Sequence, residues 1–199
     1  MKATLIITAI TAICLVVFTT ISWAANKKVE RQKYKVVKKE DGFEVRFYPK
    51  AIMASVSSNR TGDENDGNQN FRRLAGYIFG GNKQEQKIAM TAPVYMEKDS
   101  ANNNMSFVLP ANYQMTDLPN PNDPNIKLHY SDEGYFACLS FGGFANAKRI
   151  TEKENELRAA LQKKGYKVTG RYKYLGYNAP WDIINRENDI VVQIEYNNK

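Results

Sequence analysis

Apolar and polar residues alternate where the globular part of the chain begins. Phe43, Val45 and Phe47 are each separated by one residue of different character. A period of two places these three side chains on one face of a β-strand. After a turn at Pro49, residues 51–57 predict a second strand, and the polar segment that follows is rich in turn-forming Gly, Asp and Asn.

The pattern then changes to the period of an α-helix. The apolar positions of this segment are Phe71, Leu74, Ala75 and Ile78. They fall at i, i+3, i+4 and i+7, which forms one apolar stripe on a helix. Gly80 and Gly81 predict the end of the helix. Residues 91–97 and 105–109 predict two further strands.

The second half of the chain repeats this order of elements. Strands are predicted at residues 126–130, 135–141, 171–177 and 190–196, and a helix from about Ala147 to Lys164 with Gly165 as its stop. Two successive β-β-α-β-β units predict an α+β domain with a curved antiparallel sheet and two packed helices.

The first 25 residues differ in composition from the rest. A mostly apolar segment of residues 5–18 has the length of a signal-peptide core and is shorter than a membrane span. Ser22 and Ala24 are small residues at the two positions that signal peptidase reads, so cleavage after Ala24 is expected. The alternative is that residues 3–25 remain as one membrane anchor.

Residues 26–33 form a basic linker to the globular domain, which we assign to residues 34–199. Positive charge tends to stay on the cytoplasmic side of a membrane, which argues against simple export. We nevertheless expect an exported protein, periplasmic or extracellular, that is soluble after cleavage or anchored by residues 1–25. The net charge of +7 comes largely from the basic flank of residues 27–39, and the aromatic residues are not interleaved with Lys and Arg. Nucleic acid is therefore not the expected partner.

The chain offers few residues for catalysis or metal binding. His129 is the only histidine, which excludes paired-histidine zinc sites, and it shares a strand face with Lys127, so we expect it to be exposed. A cleaved chain would retain Cys138 alone, without an internal disulfide, and its apolar strand predicts a buried, inert thiol. The common nucleophile and phosphate-binding motifs do not occur. A binding protein without a metal site is therefore favoured over an enzyme.

Four blocks, in the same order, resemble the SOUL family of haem-binding proteins. They are EVRFYP at Glu44–Pro49, FRRLAGYIFGGN at Phe71–Asn82, KIAMTAPV at Lys87–Val94 and YNAPWDIINREND at Tyr177–Asp189. The resemblance covers residues 34–196. It implies a distorted antiparallel β-barrel of pseudo-twofold symmetry, built from the two β-β-α-β-β units and flanked by the two α-helices. It also implies the binding of haem or a related tetrapyrrole.

A porphyrin needs a broad apolar surface with cations near its propionates. The stripe of the first helix provides one wall, and Arg72 and Arg73 can pair with carboxylates. The alternative is that the stripe packs on the sheet and the arginines are solvated. The loop from Tyr177 to Trp181 is a second candidate wall, and Met90 either lines the pocket or fills the core. The predicted binding residues are Phe71, Arg72, Arg73, Leu74, Ala75, Ile78, Met90, Tyr177, Pro180 and Trp181.

One departure from the family concerns the iron ligand. Some SOUL proteins carry a histidine in the first strand that has been proposed as the axial ligand, and Phe47 occupies that position here. The resemblance therefore implies non-covalent binding without a protein axial ligand, for buffering, carriage or delivery. Two alternatives stay open. One is a module that recognises a protein or peptide without physiological haem binding, and the other is an enzyme that modifies a tetrapyrrole.

Overall fold

The computed structural model describes residues 29–59, 66–98, 102–179, 182 and 184–197. The chain divides into a unit of residues 1–30 and a unit of residues 31–199, and the nine-stranded sheet and both helices belong to the second unit. The predicted leader and its cleavage site lie outside the described residues. Within the described ranges, no helix is long and apolar enough to cross a lipid bilayer.

The described part of the chain contains eleven strands, two α-helices and one 3-10 turn. The strands are β1 (Glu30–Arg31), β2 (Lys35–Glu40), β3 (Phe43–Tyr48), β4 (Ile52–Asn59), β5 (Thr91–Ala92), β6 (Val94–Lys98), β7 (Asn102–Val108), β8 (Lys127–Tyr130), β9 (Gly134–Gly142), β10 (Lys173–Gly176) and β11 (Glu187–Gln193). The helices are α1 (Asp66–Ile78) and α2 (Ala147–Lys164), and a 3-10 turn spans Met115–Asp117.

Nine of these strands form one antiparallel sheet in the order β2-β3-β9-β11-β10-β6-β7-β4-β8. The first unit is β3-β4-α1-β6-β7 and the second is β8-β9-α2-β10-β11. Each unit gives its first strand to the other, because β3 pairs with β9 and β8 pairs with β4. The predicted α+β class with an antiparallel sheet and two helices is confirmed. The predicted barrel closure is not, because β2 and β8 are the two ends of the described sheet.

Both helices pack on the same face of the sheet, which we call the helix face. On α1, Leu74 and Ile78 are buried with residues of β4 and β7, and Phe71 meets Phe107 edge-on at 5.3 Å between ring centroids. On α2, Leu157 and Leu161 are buried against β3, β9 and β11. The buried residues of both helices therefore face the core.

The bounds of α2 agree with the prediction from sequence, whereas the start of α1 does not. Helix α2 begins after Asn146, whose side chain accepts from the Arg149 N–H at 2.9 Å, and it ends at Gly165 with a φ of 72°. Both ends agree with the prediction. Helix α1 begins at Asp66, five residues before the start of the predicted stripe. Its first turns are polar. The Asn70 side chain is nevertheless buried, and its amide donates to the Ser58 hydroxyl and to the Asn103 carbonyl.

Several strand predictions need correction. Strand β7 begins at Asn102 and not at residue 105, and β11 spans Glu187–Gln193 and not residues 190–196. No strand is predicted at residues 35–40, where most positions belong to the basic flank, but they form β2, whose lysine-rich sequence is typical of an edge strand. The strand predicted at residues 91–97 is divided into β5 and β6 at Pro93, which has no N–H to donate.

The opposite face of the sheet carries no described helix, and we call it the cleft face. Phe136, Cys138, Leu175 and Val191 form a buried cluster there, with Tyr48 from β3. Residues of β3 near one end of the sheet and of β8 at the other end line one cleft on this face. The sheet therefore curls around the cleft without closing by hydrogen bonds.

Candidate functional site

The stripe predicted to form the pocket wall on α1 is divided between core and surface. Leu74 and Ile78 are fully buried in the cluster between α1 and the sheet. Phe71 and Ala75 are partly buried and pack against the same cluster. Leu74 and Ile78 can therefore support a ligand surface but cannot touch a ligand without a rearrangement of the core.

The surface of α1 next to this stripe is more accessible. Arg72, Ala75 and Gly76 lie on α1, and Phe79 is the first residue after it, with its N–H bonded to the Ala75 carbonyl at 2.9 Å. The four positions follow one another at i, i+3, i+4 and i+7, and we call this surface the α1 flank. Phe79 is 63% exposed, and the space where a Gly76 side chain would lie is open. The flank is thus a low apolar surface about 10 Å long, with a guanidinium at one end and an aromatic ring at the other. Phe79 is not among the predicted binding residues, because it lies outside the stripe that indicates core packing.

The two predicted arginines differ in their surroundings. Arg73 binds Asp123 with both ends of its guanidinium, from Nε to Oδ2 at 2.7 Å and from Nη2 to Oδ1 at 3.0 Å. The hydrogen bond from Arg73 holds the pKa of the Asp123 carboxyl well below its usual range. Arg72 is exposed. Arg73 is therefore engaged in an intramolecular pair, and Arg72 is the better placed of the two for an external carboxylate.

Two connecting segments fix the surroundings of the α1 flank. The Ile88 N–H donates to the Ile78 carbonyl at 2.8 Å, which holds residues 86–90 beside the end of α1. Gln86 in turn donates from its amide to the Tyr113 hydroxyl at 3.1 Å. Met90 is partly buried against the α1 cluster. Met90 therefore has both core contacts and exposed surface near the helix, in agreement with either reading of its motif.

Tyr177 is on the other side of the sheet from the α1 stripe. It packs against the cluster of the cleft face, and its hydroxyl donates to Asp189 Oδ2 at 2.7 Å. Burial raises the pKa of Tyr177, so the phenol stays protonated. The structure does not bring Tyr177 together with the α1 stripe. Pro180 and Trp181 lie outside the described residues, so the position of the second predicted wall stays a prediction.

Asp189 is the centre of a buried polar network that no local sequence pattern predicts. Arg46 donates from Nη1 to Asp189 Oδ2 at 2.7 Å and from Nη2 to Ser140 Oγ at 2.9 Å. Ser140 donates to Asp189 Oδ1 at 2.5 Å, and the ring of Tyr34 lies 4.4 Å from the Arg46 guanidinium carbon. The Arg46 guanidinium balances the charge of Asp189, and the Ser140 and Tyr177 hydroxyls donate hydrogen bonds to its oxygens. A buried carboxylate requires such partners. The position of Tyr177 is therefore fixed by structural contacts.

The single cysteine of the described residues is chemically quiet. Cys138 is buried on the cleft face, and burial raises the pKa of its thiol to about 12. The prediction that Cys138 is buried is confirmed, and the high pKa disfavours the reactive thiolate. No group of three or more His, Cys, Asp or Glu side chains in the described ranges is arranged to hold a metal ion.

His129 is exposed, as predicted from its strand. Its neighbour Leu128 packs against the α1 cluster, so His129 points to the cleft face. Its Nε2 lies 2.7 Å from Ser55 Oγ, and its Nδ1 lies 2.9 Å from the Tyr130 carbonyl oxygen. An iron atom held against α1 would be on the opposite face of the sheet and out of reach of this imidazole.

By its resemblance to the family, Phe47 is at the position where some SOUL proteins carry the histidine proposed as their axial ligand. It lies on the same strand face as Phe43 and Val45, as the alternation predicted, and its ring is 5.3 Å from that of Tyr135. Tyr135 packs against the α2 cluster. Phe47 is therefore beside the α2 half of the sheet, whereas the predicted wall on α1 belongs to the other half.

Comparisons with known proteins agree with this fold and with the sequence motifs. The chain is 30% identical to heme-binding protein 2 of Homo sapiens over 156 residues, which cover 74% of this chain and 76% of that protein. It is 27% identical to heme-binding protein 2 of Mus musculus over 176 residues, or 85% of this chain and 82% of that protein.

Solved structures of much lower identity share the fold. The C-terminal domain of EcmrR has a TM-score of 0.59 at 12% identity and covers 81% of this chain and 98% of that chain. A structure described as a hydrolase from Listeria innocua has a TM-score of 0.56 at 10% identity, over 80% of this chain and 94% of that chain. These likenesses concern the fold alone. The family model of the SOUL heme-binding protein matches residues 29–193, and this chain therefore belongs to the SOUL family.

Proposed function

We propose that this protein binds haem or a related tetrapyrrole reversibly on the α1 flank, without a protein axial ligand, for buffering, carriage or delivery. Family membership supports the ligand class. The observation that carries the choice of surface is the exposure of Phe79, because a large exposed aromatic beside small residues favours contact with a flat apolar ligand.

The residues of the flank fit the chemistry of a tetrapyrrole. Gly76 leaves open space for a planar ring to approach the helix, Ala75 beside it is small, and Phe79 is exposed one turn after Ala75. Arg72 lies about two helical turns from Phe79 and can pair with a propionate by charge-assisted hydrogen bonds. Arg73 would then orient the surface through Asp123 without touching the ligand. The buried Leu74 and Ile78 would hold α1 on the sheet.

The absence of an axial ligand in this proposal follows from the placement of two residues. His129 faces the cleft on the other side of the sheet, and Phe47 replaces the histidine of other SOUL proteins. Apolar contact and propionate pairing would then supply most of the affinity. Metal-free protoporphyrin should therefore bind about as tightly as hemin.

Absorbance titrations of the purified protein with hemin and with protoporphyrin test the proposal. Phe79→Ser should weaken both ligands, while Phe144→Ser is a matched control because Phe144 is 57% exposed and lies beyond β9. Arg72→Ala should weaken binding by roughly ten-fold or more, since a charged hydrogen bond contributes about 1.5 to 3 kcal/mol. Arg158→Ala on α2 is the control for loss of an exposed arginine. Equal effects of the flank and control variants would move the site away from α1.

A protein or peptide is the alternative occupant of the same surface. An exposed aromatic beside small residues also suits a docking helix or strand. Failure of hemin and protoporphyrin to bind the folded protein would favour this alternative over tetrapyrrole binding.

We also propose that the protein is exported, with residues 1–25 either removed after Ala24 or kept as an anchor, followed by the linker of residues 26–33. The apolar segment of residues 5–18 and the small residues before Ala25 support this. Intact mass after cell fractionation tests it. A soluble cytoplasmic chain that retains Met1 would overturn export.

A further inference from the structure

We propose that the cleft face carries an acyl-transfer site that hydrolyses small esters, with Ser106 as nucleophile, Ser55 as proton relay and His129 as general base. This inference goes beyond tetrapyrrole binding and lies on the opposite face of the sheet from the α1 flank. It rests on three short contacts that join Ser106, Ser55, His129 and the Tyr130 carbonyl in one chain.

The direction of the chain follows from the tautomer of His129. Its Nδ1 lies 2.9 Å from the Tyr130 carbonyl oxygen, which can only accept, so Nδ1 carries the proton. Nε2 of the neutral ring is then an acceptor, and the Ser55 hydroxyl at 2.7 Å must donate to it. Ser55 Oγ also lies 2.6 Å from Ser106 Oγ. Because a hydroxyl proton can rotate, Ser55 Oγ can accept from Ser106 when the Ser55 proton is on His129. The Ser106 hydroxyl can therefore pass its proton through Ser55 to the Nε2 lone pair of His129.

The relay is held by the sheet. Ser55 and Ser106 are directly opposite each other on β4 and β7, and His129 is on β8, the other neighbour of β4. Cross-strand partners on one face have Cβ atoms about 5 Å apart, which is the separation that two hydroxyls need to meet. The Tyr130 carbonyl accepts from the imidazole and holds its orientation. It thus has the role of the third group in a catalytic triad, beside the nucleophile and the base.

Ser106 and His129 both line the cleft. Its walls include Tyr48, Tyr95 and Phe136, and its volume is about 130 Å³. A cavity of about 150 Å³ accommodates benzene, so this cleft suits one small ring or a short acyl chain and is far too small for a tetrapyrrole. The chemical class of the substrate is therefore an ester of a short carboxylic acid.

The proposed reaction has two balanced steps. Ser106 Oγ attacks the ester carbonyl carbon while its proton moves to Ser55 and the Ser55 proton moves to His129 Nε2. The bond from the carbonyl carbon to the alcohol oxygen breaks, and the proton from His129 Nε2 returns along the relay to the leaving alkoxide. Water then attacks the acyl-Ser106 ester by the same route and releases the acid. Asn104, which lines the cleft on the same face of β7, carries amide donors of the kind that stabilise an oxyanion.

The test uses purified full-length protein with p-nitrophenyl acetate as substrate. Ser106→Ala should lower kcat/KM by at least about 100-fold, the usual contribution of a positioned general base and nucleophile. His129→Gln can still hydrogen-bond to Ser55 but is not basic, so it should lower kcat with little change in KM. Ser57→Ala, an exposed serine on the same face of β4, is the matched control and should hydrolyse the ester at the rate of the unaltered protein.

A covalent probe separates this site from non-specific acetylation. Phenylmethylsulfonyl fluoride should label the peptide that contains Ser106, and the label should be absent from folded Ser106→Ala and reduced in His129→Gln. Thermal melts establish that each variant is folded, and Ser55→Ala offers a second break in the relay if Ser106→Ala does not fold. Hydrolysis that is no faster than in folded Ser106→Ala or Ser55→Ala, or a label on lysine or tyrosine alone, would overturn the proposal. Neither outcome bears on hemin binding at the α1 flank.

Discussion

The buried ion pair between Arg46 and Asp189 should dominate the effect of single substitutions on the cleft face. The two side chains are 5% and 6% exposed and lie 2.7 Å apart. Removing one partner of such a pair costs about 3 to 5 kcal/mol, because the other charge stays buried without its counter-charge. Without Asp189, Arg46 keeps only the more exposed Glu44 as an ion-pair partner among the described residues, at 2.9 Å. Asp189→Ala also removes the acceptor of the Tyr177 and Ser140 hydroxyls. At about 2 to 4 °C per kcal/mol for a domain of this size, we expect Tm to fall by roughly 6 to 20 °C.

A second ion pair on the same strand provides the control. Glu187 begins β11 and pairs with Arg31 at 2.6 Å, but these side chains are 56% and 50% exposed. Solvent screens such a pair, so Glu187→Ala should cost about 0 to 1 kcal/mol. Thermal and urea unfolding of both variants give the comparison. The double change Arg46→Met with Asp189→Leu should recover most of the loss, because it removes both charges. If Asp189→Ala destabilises no more than Glu187→Ala, the buried network does not stabilise the fold as argued.

Three further predictions concern acid stability, the pocket wall and the family's ligand position. Hydrogen bonds from Lys38 and Tyr166 lower the pKa of Glu40 to about 2. The ionised Glu40 therefore stabilises the fold above its ordinary pKa of about 4.5, and this contribution is lost as pH falls toward 2. The Tm values of the unaltered protein and of Glu40→Gln should become equal near pH 2. Leu74→Ala should lower the free energy of unfolding by about 2 to 5 kcal/mol, while the folded variant keeps its affinity for hemin. A loss of hemin affinity without a loss of stability would instead make Leu74 a ligand contact. Phe47→His should leave the Soret band of bound hemin unchanged, because Phe47 lies in the α2 half of the sheet; a histidine-coordinated spectrum would place the haem there.

The elements that could be predicted are those whose signals lie within the element itself. Helix α2 has a continuous helical period and ends at Gly165, and its bounds agree with the prediction. The first turns of α1 were missed because Asn70 has a polar side chain, and only its bonds to Ser58 and Asn103 explain its burial. Strand β2 was missed because an edge strand tolerates lysines that hydropathy associates with a solvated flank.

The candidate sites show the same limit more strongly. The stripe on α1 was visible in the sequence, but which of its residues face solvent depends on how the helix rests on β4 and β7. The relay from Ser106 to His129 could not be found in the sequence, since Ser55 is 51 residues from Ser106 and 74 from His129. Arg46 and Asp189 are separated by 143 residues. Such constellations arise from strand order and register, which local patterns do not determine.

The pseudo-twofold arrangement explains why one polar network on the cleft face is structural and the other is accessible. Arg46, Ser140 and Asp189 lie on β3, β9 and β11, and His129, Ser55 and Ser106 lie on β8, β4 and β7, which are the corresponding strands of the two units. In the first set a full positive charge meets a full negative charge, and the ring of Tyr34 lies over the guanidinium. Charges buried in this way must stay paired, so that network is not available to a substrate. The second set consists of neutral hydroxyls and an exposed imidazole, which can exchange protons without leaving a buried charge unpaired. The same strand positions thus stabilise the sheet in one half and leave groups suited to proton transfer in the other.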